Sequence, residues 1–311
     1  MTVAFVFPGQ GSQVVGMGRD LYQASAAARA IFDQADAVLG MSLSTLCFEG
    51  PEDALTATEH AQPALLTTSM ALLAALADGD PVGYIAEHAA YVAGHSLGEY
   101  SALVAAGVLP FAEALKLVRR RGELMAAASD GGMAAVLGAE EMALEAVCRE
   151  ASTKQELVVV ANYNAPGQLV ISGATAAVAR ASELAKQRGA KRAMPLKVSA
   201  AFHSPLMQAA ADGLRPALAA APFADAHVPV LANVTAVPLT TAEELRDEMA
   251  AQVTSPVRWI ASIQHMAADG VVTFVEVGPG AVLTGLIKRI VSNAKLVNLN
   301  DLASIEAYRK A

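Results

Sequence analysis

Short apolar runs alternate along this chain with longer segments whose apolar residues recur at helical spacing. Five of these runs have the length of buried strands and cover residues 3–7, 90–93, 229–232, 272–277 and 296–298. Strands that alternate with helices usually form a parallel sheet with helices packed on its faces. The pattern therefore predicts an α/β layer around a mainly parallel sheet.

The middle of the chain has a different order of elements. Its pattern predicts strands over 133–138, 157–161, 168–172 and 191–198, and helices over 140–150 and 175–188. This β-α-β-β-α-β succession is that of a ferredoxin-like unit. Turn residues at 130–132 and around Ser199 mark its ends. We therefore predict a large α/β domain of residues 1–129 and 199–311 with an inserted α+β domain of residues 130–198.

Composition limits the classes of function. The chain has 311 residues, 54% of them hydrophobic, which is enough for about two domains and a sizeable core. Its net charge of −8, from 22 basic and 30 acidic residues, argues against a nucleic-acid surface spread over the whole molecule. The longest nearly apolar stretch, 65–77, falls short of the ~20 residues that span a bilayer, so it predicts a buried helix and no membrane span.

Location and metal chemistry follow from two further features of the sequence. The first residues lack the pattern of a secretion signal, which favours the cytoplasm. Cys47 and Cys148 are too few for a disulfide scaffold or a zinc cluster. We expect both to be free, structural thiols, and we expect no metal site.

Residues 94–98, Gly-His-Ser-Leu-Gly, join an apolar run to an alanine-rich helical segment. In an elbow of this kind the serine lies on a tight strand-to-helix turn, and the glycines allow backbone and substrate to approach its hydroxyl. Backbone N–H groups at the start of the helix would stabilise an oxyanion. Ser96 is therefore a candidate nucleophile, with an ordinary turn as the alternative.

A serine hydroxyl becomes nucleophilic when a base takes its proton, and the chain has six histidines. His95 is adjacent to Ser96, but neighbouring residues at a strand end point to opposite faces, so we expect a structural role for it. His203 follows the predicted inserted domain and borders a crevice of the kind that binds ligands. It is the candidate base, with a structural histidine as the alternative.

Two more residues are candidates for binding. Gln10 stands between two glycines directly after the first predicted strand, where it either supports an oxyanion or belongs to a tight turn. Arg121 falls on the apolar face of a helical pattern, while its two basic neighbours point away. A buried guanidinium needs an anionic partner, which is either a protein carboxylate, such as Glu99 or Glu123, or a substrate carboxylate.

Together these segments resemble the malonyl-CoA:acyl carrier protein transacylase family over almost the whole chain. The matching segments are residues 7–13, 62–64, 94–100, 121–122, 162–168, 202–207, 256–259 and 276–280. The resemblance implies a hydrolase-like large domain that carries the ferredoxin-like insertion. It also implies an acyltransferase that uses a malonyl-serine intermediate.

Eight positions match functional positions of that family. They are the nucleophile Ser96, its base His203, the oxyanion residues Gln10 and Leu97, the carboxylate clamp Arg121, the substrate-site residues Asn162 and Phe202, and Gln252, whose backbone carbonyl orients the histidine. An aromatic ring at position 202 would crowd the space that an α-methyl group needs, which favours malonyl over branched acyl groups.

The implied reaction transfers a malonyl group from malonyl-CoA to the phosphopantetheine thiol of acyl carrier protein, for fatty-acid synthesis. A thioester is made from a thioester, so no cofactor, ATP or metal is expected, and the usual form of the family is a monomer. The carrier is a small acidic domain and this chain is acidic too, so docking requires a local basic patch. The candidates are Lys191 with Arg192 and Lys288 with Arg289.

Other functions remain open at this point. The same chemistry serves a stand-alone acyltransferase that loads the carrier protein of a polyketide synthase or a malonate decarboxylase. A serine esterase with water as the acceptor would need the same elbow.

Overall fold

The computed structural model describes residues 2–128, 131–198 and 200–310, which form two β-sheets with helices packed against them. The strands are β1 (Val3–Phe7), β2 (Tyr91–Gly94), β3 (Gly132–Leu137), β4 (Val158–Ala165), β5 (Gln168–Gly173), β6 (Arg192–Pro195), β7 (Val230–Leu231), β8 (Pro238–Leu239), β9 (Thr273–Val277) and β10 (Lys295–Leu299). The larger sheet has the order β10-β9-β1-β2-β7-β8. Its pairs are parallel from β10 to β7, and β8 is antiparallel to β7. The predicted α/β fold with a mainly parallel sheet is confirmed.

Helices cover this sheet and connect its strands. They are α1 (Arg19–Ala24), α2 (Ala26–Leu39), α3 (Leu43–Glu49), α4 (Glu52–Thr56), α5 (Thr58–Leu76), α6 (Pro81–His88), α7 (Gly98–Ala105), α8 (Phe111–Ala127), α9 (Glu141–Ala151), α10 (Thr175–Gln187), α11 (Gln208–Ala220), α12 (Ala242–Gln252), α13 (Trp259–Ala268), α14 (Val282–Ile290) and α15 (Leu302–Arg309). Because both faces of the sheet are covered, the residues of β1 from Ala4 to Phe7 are fully buried. This is why the strand reads as a continuous apolar run.

The smaller sheet has the order β4-β5-β3-β6 with every pair antiparallel. The two helices between its strands, α9 and α10, complete the ferredoxin-like succession that the sequence predicts. The last predicted strand, 191–198, is shorter in the structure, where β6 ends at Pro195. The predicted boundaries at Ser129, Asp130 and Ser199 lie outside the described residues, so the division into domains remains a prediction.

Strand β4 bonds to the segment that follows α12. Asn162 forms a parallel bridge with Val257. The Tyr163 N–H donates to the Val257 carbonyl at 2.9 Å, and the Val257 N–H donates to the Ala161 carbonyl at 2.9 Å. These bonds fix the segment after α12, which carries one of the carbonyls at the candidate site described below.

The predicted buried helix is confirmed as part of α5, in which every residue from 61 to 76 is buried. Among the described residues, no helix has the length and apolar character needed to cross a membrane. Cys47 and Cys148 are free and buried. Burial raises the pKa of each thiol to about 12, so both are unreactive and act as small apolar side chains.

Candidate active site

Ser96 lies between the end of β2 and the start of α7, on a sharp turn. Its φ is +52°, in the left-handed region that non-glycine residues seldom adopt. A Cβ at Gly94 would overlap the carbonyl of Gly98, and a Cβ at Gly98 would overlap the carbonyl of Phe7. The two glycines therefore allow the ends of β1 and β2 and the first turn of α7 to converge. This convergence holds the serine at the carboxyl edge of the parallel sheet.

His203 contacts the serine hydroxyl from the loop that precedes α11. Its Nε2 lies 2.7 Å from the Ser96 Oγ. On the other side of the ring, Nδ1 lies 3.0 Å from the Gln252 carbonyl and 3.1 Å from the Ser255 carbonyl. Carbonyls only accept hydrogen bonds, so Nδ1 carries the proton and Nε2 is free to accept one from the serine.

The environment of His203 favours its neutral form. The side chain is 4% exposed. Burial, and next the nearby Arg121 guanidinium, lower the pKa of His203 to about 3. The imidazole is therefore an unprotonated acceptor at neutral pH, as a base for the serine must be.

Arg121 projects from α8 into the same space and is 2% exposed. Its Nη1 donates to the Gln62 Oε1 at 2.7 Å, and its Nη2 donates to the Gln252 Oε1 at 3.0 Å and to the Ser96 Oγ at 3.2 Å. Its buried Nε has no hydrogen-bond partner within the described part of the chain. The guanidinium is thus next to the serine with donor capacity to spare.

Neither protein carboxylate named as a possible partner of Arg121 forms a hydrogen bond with it. Glu123 pairs instead with Arg119, at 2.7 Å. Glu99 accepts from the Gln252 Nε2 at 2.6 Å, so an amide separates it from the guanidinium. Helical periodicity correctly places Arg121 on the buried face, but it does not say which side chains from other helices meet it there.

Two backbone amides near Ser96 have no acceptor among the residues that the structure describes. They belong to Leu97, which precedes the first residue of α7, and to Gln10, in the loop after β1. The Gln10 side chain is held by the Thr58 hydroxyl, which donates to its Oε1 at 2.7 Å. Both residues line the cavity of Ser96, so their N–H groups are available to an oxyanion there.

A cavity of about 380 Å³ brings these groups together. The residues proposed from sequence that line it are Gln10, Ser96, Leu97, Arg121, Asn162, Phe202 and His203. Gln252 lies behind the cavity and is fully buried. The cavity thus holds a serine, a neutral histidine, free backbone amides and a buried guanidinium. With these groups, the serine can be acylated by an acyl group that carries a negative charge.

Comparisons with known proteins agree with this chemistry. A family model described as "Acyl transferase domain" matches residues 4–308. The chain is 48% identical over 307 residues to the malonyl CoA-acyl carrier protein transacylase of Bacillus subtilis (strain 168), across 98% of this chain and 95% of the relative. The chain belongs to the malonyl-CoA:acyl carrier protein transacylase family. It is therefore an acyltransferase.

Solved structures of the family have the same fold. The acyl-carrier-protein-S-malonyltransferase of Bartonella henselae superposes with a TM-score of 0.96 at 43% identity and covers 100% of this chain and 99% of its own. A malonyl-transacylase in complex with a type II PKS acyl-carrier protein superposes with a TM-score of 0.92 at 40% identity, over 99% and 98% of the two chains.

Three residues at the site of this transacylase were not assigned a role from the sequence. Gln62 holds the Arg121 Nη1, and its only signal was the Gln-Pro-Ala segment that matches the family. Asn233 donates to and accepts from the backbone of the elbow. It directly follows the strand predicted over 229–232, so its place at the end of a predicted strand was a usable signal. Lys197 lines the cavity from the segment after β6.

His95 and the proposed docking residues form no hydrogen bond with the Ser96 hydroxyl or the His203 ring. The His95 Nε2 donates to the Asn164 Oδ1 at 2.8 Å, and the ring packs edge-on against Trp259. Lys191, Arg192 and Lys288 are exposed. The Arg289 Nη2 donates to the Pro166 carbonyl at 2.7 Å, and its Nη1 binds the Gln168 side chain, so this arginine is tied to the turn between β4 and β5.

Proposed function

We propose that the chain transfers a malonyl group from malonyl-CoA to the phosphopantetheine thiol of an acyl carrier protein through an ester on Ser96. The observation that carries the proposal is the position of the Ser96 Oγ between a base at 2.7 Å and a buried guanidinium at 3.2 Å. The first contact suits a nucleophile, and the second suits an acyl group that ends in a carboxylate. The names of the relatives support the same substrates.

In the first half-reaction the malonyl carboxylate pairs with Arg121, and the Ser96 oxygen attacks the thioester carbonyl. His203 takes the serine proton at Nε2, and the Leu97 and Gln10 amides donate to the oxyanion. The tetrahedral intermediate collapses with loss of the CoA sulfur, which receives the proton from His203. Ser96 is then malonylated and the histidine is neutral again.

The second half-reaction runs the same steps in reverse with a new thiol. His203 takes the proton of the phosphopantetheine thiol as its sulfur attacks the malonyl ester. Collapse returns the proton to the Ser96 oxygen and releases malonyl carrier protein, which gives ping-pong kinetics. One thioester bond is broken and one is formed, so the balance requires no ATP or electron donor.

The carboxylate clamp has room for its ligand. In the structure, the Gln62 and Gln252 amides each accept from one nitrogen of Arg121, while the buried Nε has no partner among the described residues. A malonyl carboxylate would accept from the remaining N–H groups. The Phe202 ring and Asn162 line the same cavity, where we propose that they bound the acyl group and exclude an α-methyl branch.

Intact-mass spectrometry after brief mixing with malonyl-CoA tests the proposal. We expect a gain of one malonyl group per chain, removed on addition of holo acyl carrier protein. A chain that gains no mass, or that loses the group equally fast to water, would contradict it.

The pathway of the carrier protein is a separate question. We propose fatty-acid synthesis. A polyketide carrier is the alternative, and the observation behind it is the solved relative in complex with a type II PKS carrier protein. A panel of carrier proteins separates the two by their kcat/KM values. The proposal has four further parts. The protein is cytoplasmic and monomeric, it acts without a cofactor, and its two domains meet at residues 129/130 and 198/199.

Malonylation of Ser96 is expected to keep its rate between about pH 7 and pH 5. Because burial and Arg121 lower the pKa of His203 to about 3, the base remains unprotonated over this interval. For a histidine with an ordinary pKa of about 6.5, the unprotonated fraction, and with it the rate, would fall roughly 25-fold between pH 7 and pH 5. Single-turnover acylation measured across this range checks the prediction, and a decline of about 25-fold would contradict it. The lowered pKa also means that this group lowers the stability of the fold as pH falls from about 6.5 towards 3.

Reversing the charge of Lys191 or Lys288 is expected to slow malonyl transfer to carrier protein more than acylation by malonyl-CoA. Both side chains are exposed, and an acidic carrier would lose an attractive contact with either. Lys295→Glu is the matched control. Lys295 is the first residue of β10, so it lies at the amino-terminal end of the parallel strands, opposite to the end that carries Ser96. The measurement is kcat/KM for each half-reaction, compared between each variant and the unmodified protein. Equal effects on both, or an equal effect of the control, would count against docking at these residues.

A further inference from the structure

Asn233 is a buried side chain outside the proposed chemistry that contacts the backbone at the nucleophile and two residues before it. Its Oδ1 accepts from the Ser96 N–H at 2.7 Å, and its Nδ2 donates to the Gly94 carbonyl at 2.7 Å. The side chain is 1% exposed. Since an N–H can only donate and a carbonyl only accept, its partners fix the orientation of the amide.

The backbone of Asn233 is itself held on every polar atom. Its N–H donates to the Glu99 Oε1 at 3.1 Å, and its carbonyl accepts from the Arg258 N–H at 2.9 Å. The next residue, Val234, donates its N–H to the Glu248 Oε1 at 2.8 Å. Two buried carboxylates thus fix the turn after β7, and this turn presents a rigid amide to the elbow.

The elbow needs such a support. Ser96 has a φ of +52°, a conformation that is strained for a residue with a side chain and that persists where the surroundings hold it in place. The two bonds of Asn233 hold the chain as it enters the strained residue, one at the Ser96 amide and one at the carbonyl two residues before it. The same backbone conformation aims the Ser96 Oγ at His203.

The contact also decides which amides can face an oxyanion. The Ser96 N–H is occupied by Asn233, whereas the Leu97 N–H has no acceptor in the described ranges. We propose that Asn233 is a positioning residue for acylation, which holds the Ser96 backbone so that the hydroxyl meets His203 and the Leu97 amide faces the reacting carbonyl. This inference rests on the proposed function, because it concerns the rate at which Ser96 is acylated.

Asn233→Leu tests it, since leucine has the same number and branching of side-chain heavy atoms but forms neither hydrogen bond. In single-turnover acylation by malonyl-CoA, we expect the rate constant at saturation to fall about 10- to 100-fold, as small displacements of reacting groups do. The half-saturating concentration should stay within about twofold, and the preference for malonyl over acetyl should not change, because the contacts of Arg121 remain.

Asn298→Leu is the matched control. Asn298 lies on β10, which β9 and β1 separate from β2, and its Nδ2 donates to the Glu276 Oε2 at 3.3 Å, so the variant removes an asparagine side-chain hydrogen bond elsewhere in the same sheet. A rate constant for Asn233→Leu within twofold of this control would overturn the proposal. A parallel loss of rate, affinity and malonyl preference would do the same, because it would mark a general disturbance of the fold.

A second measurement needs no variant, so it tests the proposal even where Asn233→Leu does not fold. Amide hydrogen exchange of the unmodified protein should show the Ser96 N–H strongly protected and the Leu97 N–H exchanging much faster. Equal exchange of the two amides would overturn the proposal.

If the unmodified protein is not malonylated, the proposed function fails. If it is malonylated and Asn233→Leu reacts equally fast, the inference about Asn233 fails by itself.

Discussion

Ser96→Ala is expected to abolish the malonyl mass gain and to lower transfer to carrier protein by about 10⁴-fold or more. Removal of the nucleophile from a serine–histidine pair leaves only the contribution of binding and of the oxyanion donors. The variant should fold, because alanine removes one partly buried hydroxyl and leaves the backbone of the elbow in place. Intact mass and steady-state transfer are the two measurements.

Ser101→Ala provides the matched control for this loss. Ser101 lies on α7, is fully buried, and its hydroxyl has no hydrogen-bond partner in the described residues. Its removal should leave acylation unchanged. Malonylation of Ser96→Ala at the rate of the unmodified protein would place the ester on another residue and would refute the mechanism.

Arg121→Ala is expected to lower kcat/KM for malonyl-CoA by about 30- to 4,000-fold. Truncation of one partner of a buried, hydrogen-bonded charge pair costs about 2–5 kcal/mol, and each 1.4 kcal/mol is about a factor of ten. Acetyl-CoA carries no terminal carboxylate, so its kcat/KM should fall far less. The preference for malonyl over acetyl is the quantity to measure, with both thioesters and the same enzyme preparation.

Arg120→Ala controls for loss of a positive charge from the same helix, because Arg120 is the next residue and its side chain is about half exposed (51%). It should keep the preference. An Arg121→Ala enzyme that still prefers malonyl would contradict the clamp and would favour the esterase interpretation, which then predicts hydrolysis in place of transfer to the carrier thiol.

Most of the fold could be predicted from the sequence because burial on both faces makes each central strand an uninterrupted apolar run. The runs at 90–93, 229–232 and 272–277 correspond to β2, β7 and β9 within one or two residues at each end. Strand β8 was missed because it has two residues, Pro238 and Leu239, too few for a pattern. Strand β4 extends to Ala165, beyond its predicted end, where Asn162 and Tyr163 bond to Val257 of another segment.

Part of the site could likewise be predicted from the sequence, and part could not. Local pattern indicated Ser96, from the glycines that its turn requires, and the burial of Arg121, from helical periodicity. The pairing of His203 with Ser96 joins residues 107 positions apart, and Asn233 reaches Ser96 across 137 positions. Such contacts leave no periodic trace in the sequence, and the family resemblance supplied the first of them but not the second.

The sequence by itself determined the order of strands and helices, the elbow and the face on which Arg121 is buried, because these depend on residues near one another in the chain. The tertiary structure decided what meets at the elbow: the tautomer of His203, set by the Gln252 and Ser255 carbonyls, the amides of Gln62 and Gln252 around the guanidinium, and the support from Asn233. The physical reason is that hydrogen bonds between distant segments depend on how the sheets and helices pack, and packing is a property of the whole fold.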